Sequence, residues 1–153
     1  MPVKINNSTI NNKTSSGIKT SQNISSSNGV GETSSFQSVF KTARLDSFNG
    51  TMKELIEIVR GRGDQFIRSP QEDTLNSYRE SVKYFLKKIK EEFLSLKEEF
   101  GASRDGEQRI YQLVDNAGGQ ADEMTKEAFT KDRAINLLAS LDDIRGLVLD
   151  VIG

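Results

Sequence analysis

The side chains best arranged to do chemistry are cations. Arg79, Lys83, Lys87 and Lys90 step by four, four and three along the chain, a spacing that puts them on one narrow face of a helix. Arg60, Arg62 and Arg68 lie just upstream, near the corner that precedes this helix, and Arg145 stands close to the end of the chain. Such a group could hold phosphates or acidic side chains. The candidate interaction surface is therefore Arg68, Arg79, Lys83, Lys87 and Arg145. The plainer reading is a solvated helix face neutralised by Glu80, Glu91 and acids of neighbouring helices, with Lys87 and Glu91 four residues apart. Apart from Tyr84 and Tyr111, no exposed aromatic residue interleaves with the cations, so a nucleic-acid stacking platform is disfavoured.

The acids offer less. Asp142-Asp143, Glu91-Glu92 and Glu98-Glu99 are adjacent pairs, and neighbours on a helix point about 100° apart, so neither a shared proton nor a shared metal is available to them. The chain has no Cys and no His. Thiolate chemistry, disulfides, Cys-based metal sites, His-based triads and Glu-x-x-His di-iron sites are all excluded. An enzyme would have to work with carboxylates, Lys, Arg or Tyr alone. The expectation is no catalytic residue, no cofactor and no resident metal.

These residues need elements to position them, and the spacing of apolar residues predicts helices. Leu75, Tyr78, Val82, Phe85, Leu86, Ile89, Phe93, Leu96 and Phe100 form one stripe of a helix over 69–100. Ser69 as N-cap, Pro70 at the first helical position and Glu72 at the third give it a start, and Gly101 gives it a stop. Before it, Met52, Leu55, Ile56, Val59, Phe66 and Ile67 predict a helix beginning at Asp46 or Thr51, interrupted near Gly61 and Gly63. A short separate helix with Phe36, Val39 and Phe40 on one side precedes that, starting at Ser34; core packing is the first role expected of Phe36 and Phe40.

After the central helix, Asp105 is expected to cap a fourth helix carrying Ile110, Leu113, Val114, Ala117, Ala121, Met124 and Ala128, weakened at Gly118-Gly119. The last helix runs from about Lys131 to Val151. Its apolar set, Ile135, Leu138, Leu141, Ile144, Leu147, Val148, Val151 and Ile152, is broader than one partner needs, so burial from two sides is expected, either inside the bundle or against a second copy. Gly146 within that pattern points to close approach of another helix or to room for Arg145 to fold back on a carboxylate. Whether the last two helices are continuous through Phe129-Thr130 stays open. Short turns make neighbours antiparallel. The fold expected is all-α: an antiparallel up-and-down helical bundle of about four main helices plus the short N-terminal one.

Residues 1–33 read differently. Ser, Thr and Asn dominate and the apolar residues are isolated, too few to offset the entropy of ordering. A disordered N-terminal tail over 1–33 and a bundle domain over 34–153 follow. The formal net charge is −1 and no apolar run reaches membrane-spanning length, so a membrane segment is not expected. The N-terminus lacks a signal-peptide layout, so a cytoplasmic setting is expected.

Two segments are similar to a known family. Gln65-Phe66-Ile67-Arg68-Ser69-Pro70, continuing through Leu75, Tyr78 and Val82-Lys83-Tyr84-Phe85-Leu86, resembles the YaaR family of small bacterial proteins, and so does the ending Leu141-Asp142-Asp143-Ile144-Arg145-Gly146-Leu147-Val148-Leu149-Asp150. The resemblance covers roughly residues 36–152 and departs from the family pattern at Gly118-Gly119. It implies an all-helical bacterial cytoplasmic protein and no activity. Together with the missing catalytic groups, the broad C-terminal face leads to a non-enzymatic helical interaction module with an unidentified protein partner, a homodimer being one option. The alternative is a nucleotide- or nucleic-acid-associated accessory protein using the basic face.

Overall fold

The computed structural model describes the backbone of residues 26–153 and the side chains from Ser35 onward. Four helices follow in order: α1 Ser26–Arg68, α2 Glu72–Phe100, α3 Arg104–Glu123 and α4 Lys131–Val151. Among the described residues there is no strand, and one isolated antiparallel bridge joins Ala102 to Ile152. The chain divides into two compact units, Met1–Ala43 and Arg44–Gly153. The bundle core belongs to the second. Of the tail predicted over 1–33, residues 1–25 lie outside the described residues, and 26–33 fall within the range of α1.

Within Arg44–Gly153 the helices alternate in direction. Arg44 reaches Glu99 and Ser95, and Arg62 reaches Ser77, so α1 and α2 run antiparallel. Lys97 pairs with Glu107, and Arg79 meets the carbonyl of Ala121, which sets α2 against α3 in the same sense. Arg145 near the end of α4 bonds Asn49 of α1, which places α4 beside α1 and closes the bundle. This is the expected up-and-down arrangement.

The core forms where apolar residues repeat at helical spacing. On α2, eight of the nine predicted positions are buried and Phe100 is half-buried. On α1, Phe48, Met52, Ile56, Val59 and Phe66 are buried, and Gly63 occupies the one stripe position without a side chain. A Cβ there would stand 3.2 Å from Cε1 of Tyr78, so the glycine is what lets that ring lie against α1. The loss of helix propensity at Gly61 and Gly63 is overridden by burial of this stripe, so α1 runs unbroken. The short helix predicted to start at Ser34 is therefore part of α1 rather than a separate element.

Several boundaries differ from expectation for local reasons. Ser69 is not the cap of α2. Its N–H donates to the Gln65 carbonyl at 2.9 Å and so still belongs to the end of α1. The helix starts after Gln71, whose N–H donates to Thr74 Oγ1 at 3.1 Å, while the Thr74 hydroxyl donates to the Ser69 carbonyl at 2.6 Å. Ser103, not Asp105, caps α3: its Oγ accepts from the Gly106 N–H at 3.2 Å. Asp105 and Glu107 instead fall in the first turn, where their charge suits the helix dipole. Gly101 ends α2 as predicted, at a positive φ of +83° that suits glycine, although its ψ of 164° is extended rather than left-handed helical.

The fourth and last predicted helices are distinct. Residues 124–130 break them, and Thr130 caps α4 by accepting from the Arg133 N–H at 3.1 Å. Phe129 of this connection is buried, its ring 4.5 Å from Phe66 and 5.0 Å from Tyr78. At the other end, the Gly153 N–H donates to the Gly101 carbonyl at 3.0 Å and the Ser103 N–H to the Val151 carbonyl at 3.3 Å. The end of α4 is thus tied to the turn between α2 and α3.

Candidate functional site

The basic stripe forms on α2 as the spacing requires, but two of its four charges, Arg79 and Lys83, are engaged. Arg79 is half-buried and donates from Nε to the Ala121 carbonyl at 3.0 Å, from Nη1 to Asn76 Oδ1 at 3.1 Å, and from Nη2 to the Met124 carbonyl. Carbonyls at a helix end have no partner inside the helix, so Arg79 is a cap for the C-terminus of α3. Lys83 pairs with Asp122 of α3. Arg145 pairs with Asp142 at 3.0 Å and with Asn49 of α1. Its guanidinium does fold back on a carboxylate, although a Cβ at Gly146 would meet nothing within 4 Å, so close helix approach is not that glycine's role.

Lys87 and Arg68 are exposed. Lys83, Lys87 and Lys90 line an open groove between α2 and α3, together with Glu91, Asp115 and Asp122 and the backbone of Gly118 and Gly119. The groove holds as many acids as lysines. The helical pair observed here is Lys88 with Glu92 at 3.8 Å rather than Lys87 with Glu91. Arg145 lines a different depression, with Arg109, Asp142, Asp143 and Asp150. The five candidate cations therefore do not share one surface pocket. Among the described residues, no three acidic side chains come together in a way that could hold a metal ion.

A second surface is apolar. α1 and α4 flank a cleft lined by Lys53, Ile56, Glu57, Arg60, Ile135, Leu138, Ala139 and Asp142. At one end it shares Arg60, Ile135 and Leu138 with a pit of about 60 Å³, walled also by Gly63, Ile67 and Tyr78. Ile135 is 54 % exposed and Ile67 44 %. Both were expected in the core. α4 buries Leu137 along with the expected Leu141, Ile144 and Val148, which turns Ile135 and half of Leu138 outward. The last helix is thus not covered on both sides of its broad face, and the excess apolar width noted in the sequence is the signal that leads here.

Tyr78 lies at the base of this region. It is 2 % exposed, and its hydroxyl has no hydrogen-bond partner. Burial pushes its pKa up to about 12, because the charged phenolate would be poorly solvated. In the first unit, Phe36 is 73 % exposed and Val39 66 %, and Phe40 is partly exposed; the expected core role of Phe36 and Phe40 does not hold.

Residues 5–152 match the model of a family described as protein of unknown function, DUF327. The chain belongs to that family. A crystal structure from the same family, protein TM1646 from Thermotoga maritima, is 26 % identical over 75 % of this chain and 96 % of its own, with a TM-score of 0.45. None of the curated proteins matches the chain. The DUF327 description attaches no reaction and no ligand to the family. No helix among the described residues is long and apolar enough to cross a membrane.

Proposed function

We propose that this DUF327 protein is a non-enzymatic, cytoplasmic helical module that works by docking another protein in the α1–α4 cleft. The observation that carries this reading is the outward position of Ile135 and Ile67 beside a pit at the cleft's end. Exposed apolar groups grouped in a concavity and rimmed by charge are what protein-binding surfaces present. The resemblance to the YaaR family supports the cytoplasmic setting, and the residue inventory supports the absence of catalysis.

The nucleotide or nucleic-acid alternative draws less support. Arg79, Lys83 and Arg145 spend their charge on Ala121, Asp122 and Asp142. The lysines that remain face acids across the α2–α3 groove.

Affinity capture from the native cytoplasm with the full chain, beside an Ile67→Asp/Ile135→Asp variant, tests the reading. A protein retained by the wild type and lost by the folded variant is the expected result. Equal capture by both chains, or capture of nothing by either, overturns it. Titration with DNA and cyclic dinucleotides at low salt tests the alternative, which no binding would end.

A further inference from the structure

We infer that the occupant of the α1–α4 cleft is the same cleft of a second copy of this chain, in a two-fold dimer. The inference rests on the reading of the cleft as a binding surface and adds its partner. What points to a second copy is the order of charges along the α1 rim. Lys53, Glu57, Arg60 and Asp64 step by four, three and four, and all four are exposed. They form one row beside the apolar floor, and their signs alternate.

An alternating row of this length is complementary to itself only when reversed. Laid antiparallel across a two-fold axis, it sets Lys53 against the partner's Asp64 and Glu57 against the partner's Arg60. Symmetry repeats each pair, so every charge in the row meets an opposite one. A parallel arrangement would set like against like at every position. The centre of the row falls between Ile58 and Val59. Ile135 of α4 lines both the pit beside Val59 and the cleft beside Ile56 and Glu57, so it lies level with that centre. Its exposed side chain then meets the partner's Ile135 on the axis, with Leu138 next to it. The result is an apolar centre within a charged rim, the usual anatomy of a protein interface.

The energetic roles divide accordingly. Glu57 and Arg60 already pair within the chain at 3.3 Å, both more than half exposed. Exposed pairs are individually weak and salt-screened. The rim therefore sets orientation and rejects the parallel arrangement, while Ile135 and Leu138 supply the buried area.

Sedimentation equilibrium of the full chain over a concentration series reads the outcome. The wild type is expected to associate to a dimer. Lys53→Glu and Asp64→Lys, each made alone, are expected to raise the dissociation constant roughly tenfold by placing like charges across the axis. The double variant K53E/D64K is expected to return it to within about twofold of wild type, because the swap restores both pairs. Circular dichroism of each variant confirms that the bundle is folded, and raised salt is expected to weaken the wild-type dimer. A mass of one chain at every concentration overturns the inference. So does a dimer indifferent to the single variants, which would use another face. In either case, if Ile67→Asp/Ile135→Asp still abolishes capture of a different protein, the cleft remains a binding surface and only the identity of its occupant is wrong.

Discussion

Gly106 of α3 and Val151 of α4 are so close that no side chain fits between them. A Cβ added to Gly106 would stand 2.8 Å from the Val151 Cβ, closer still to its Cγ1, and 2.6 Å from the capping Ser103 Oγ. Gly106→Ala is therefore expected to destabilise the bundle by about 1–3 kcal/mol, the usual range for overpacking. Chemical denaturation measures it. The double variant Gly106→Ala/Val151→Ala, which removes the opposing methyl groups, should recover part of the loss; no recovery would mean the damage lies at the Ser103 cap.

Gly119 and Gly146 stand in the opposite situation. Neither has a positive φ, and a Cβ at either would meet nothing within 4 Å among the described residues. Alanine at each is expected to stabilise by about 0.5–1 kcal/mol through helix propensity alone. A rise in thermal midpoint for both checks this, and a fall at Gly146 would reveal a neighbour in solution at that depression.

Arg79 is expected to matter for stability far more than Lys83. Arg79→Ala leaves the Ala121 and Met124 carbonyls without their charged donor and should cost about 1.5–3 kcal/mol. Arg79→Lys should recover little, because one ammonium does not reproduce the forked guanidinium. Lys83→Gln, which removes an exposed pair with Asp122, should cost less than about 1 kcal/mol. Urea midpoints of the three variants rank them.

Tyr78 gives the pH dependence a sign. Its folded pKa, about 12, lies above the ordinary value of 10.0. Between those values the unfolded chain has released the phenolic proton and the folded one has kept it. The stabilisation is complete below pH 10 and is lost as pH rises toward 12, by roughly 2–3 kcal/mol at the top of the window. Tyr78→Phe removes the partnerless hydroxyl and should be neutral or stabilising at neutral pH. It should also flatten the alkaline slope, read as thermal midpoints across that window.

The α2 core was legible because nine apolar residues at gaps of three and four leave one face open to burial. The unbroken α1 was not. Gly61 and Gly63 argue for a break by propensity, and nothing local says that Gly63 makes room for a tyrosine fifteen residues on. The capping positions were missed by two residues because Ser69-Pro70 is the louder signal, although Ser69 still serves α1. Of the site, the cationic row was legible and its employment was not. That Arg79 caps α3 depends on where that helix ends, and its end at Glu123 is set by the packing of Met124 and Phe129. The α1–α4 cleft was visible only as surplus apolar width on the last helix, since its two walls are about eighty residues apart in the chain.

The last turn of a bundle's final helix ordinarily frays, and its amides exchange with solvent in local openings that leave the rest intact. Here the Gly153 and Ser103 amides are held across the gap between α4 and the α2–α3 turn. Releasing them means lifting Ile152 out of the core as well. In deuterated buffer these two amides should thus be among the slow ones, exchanging together with the buried middle of the helices.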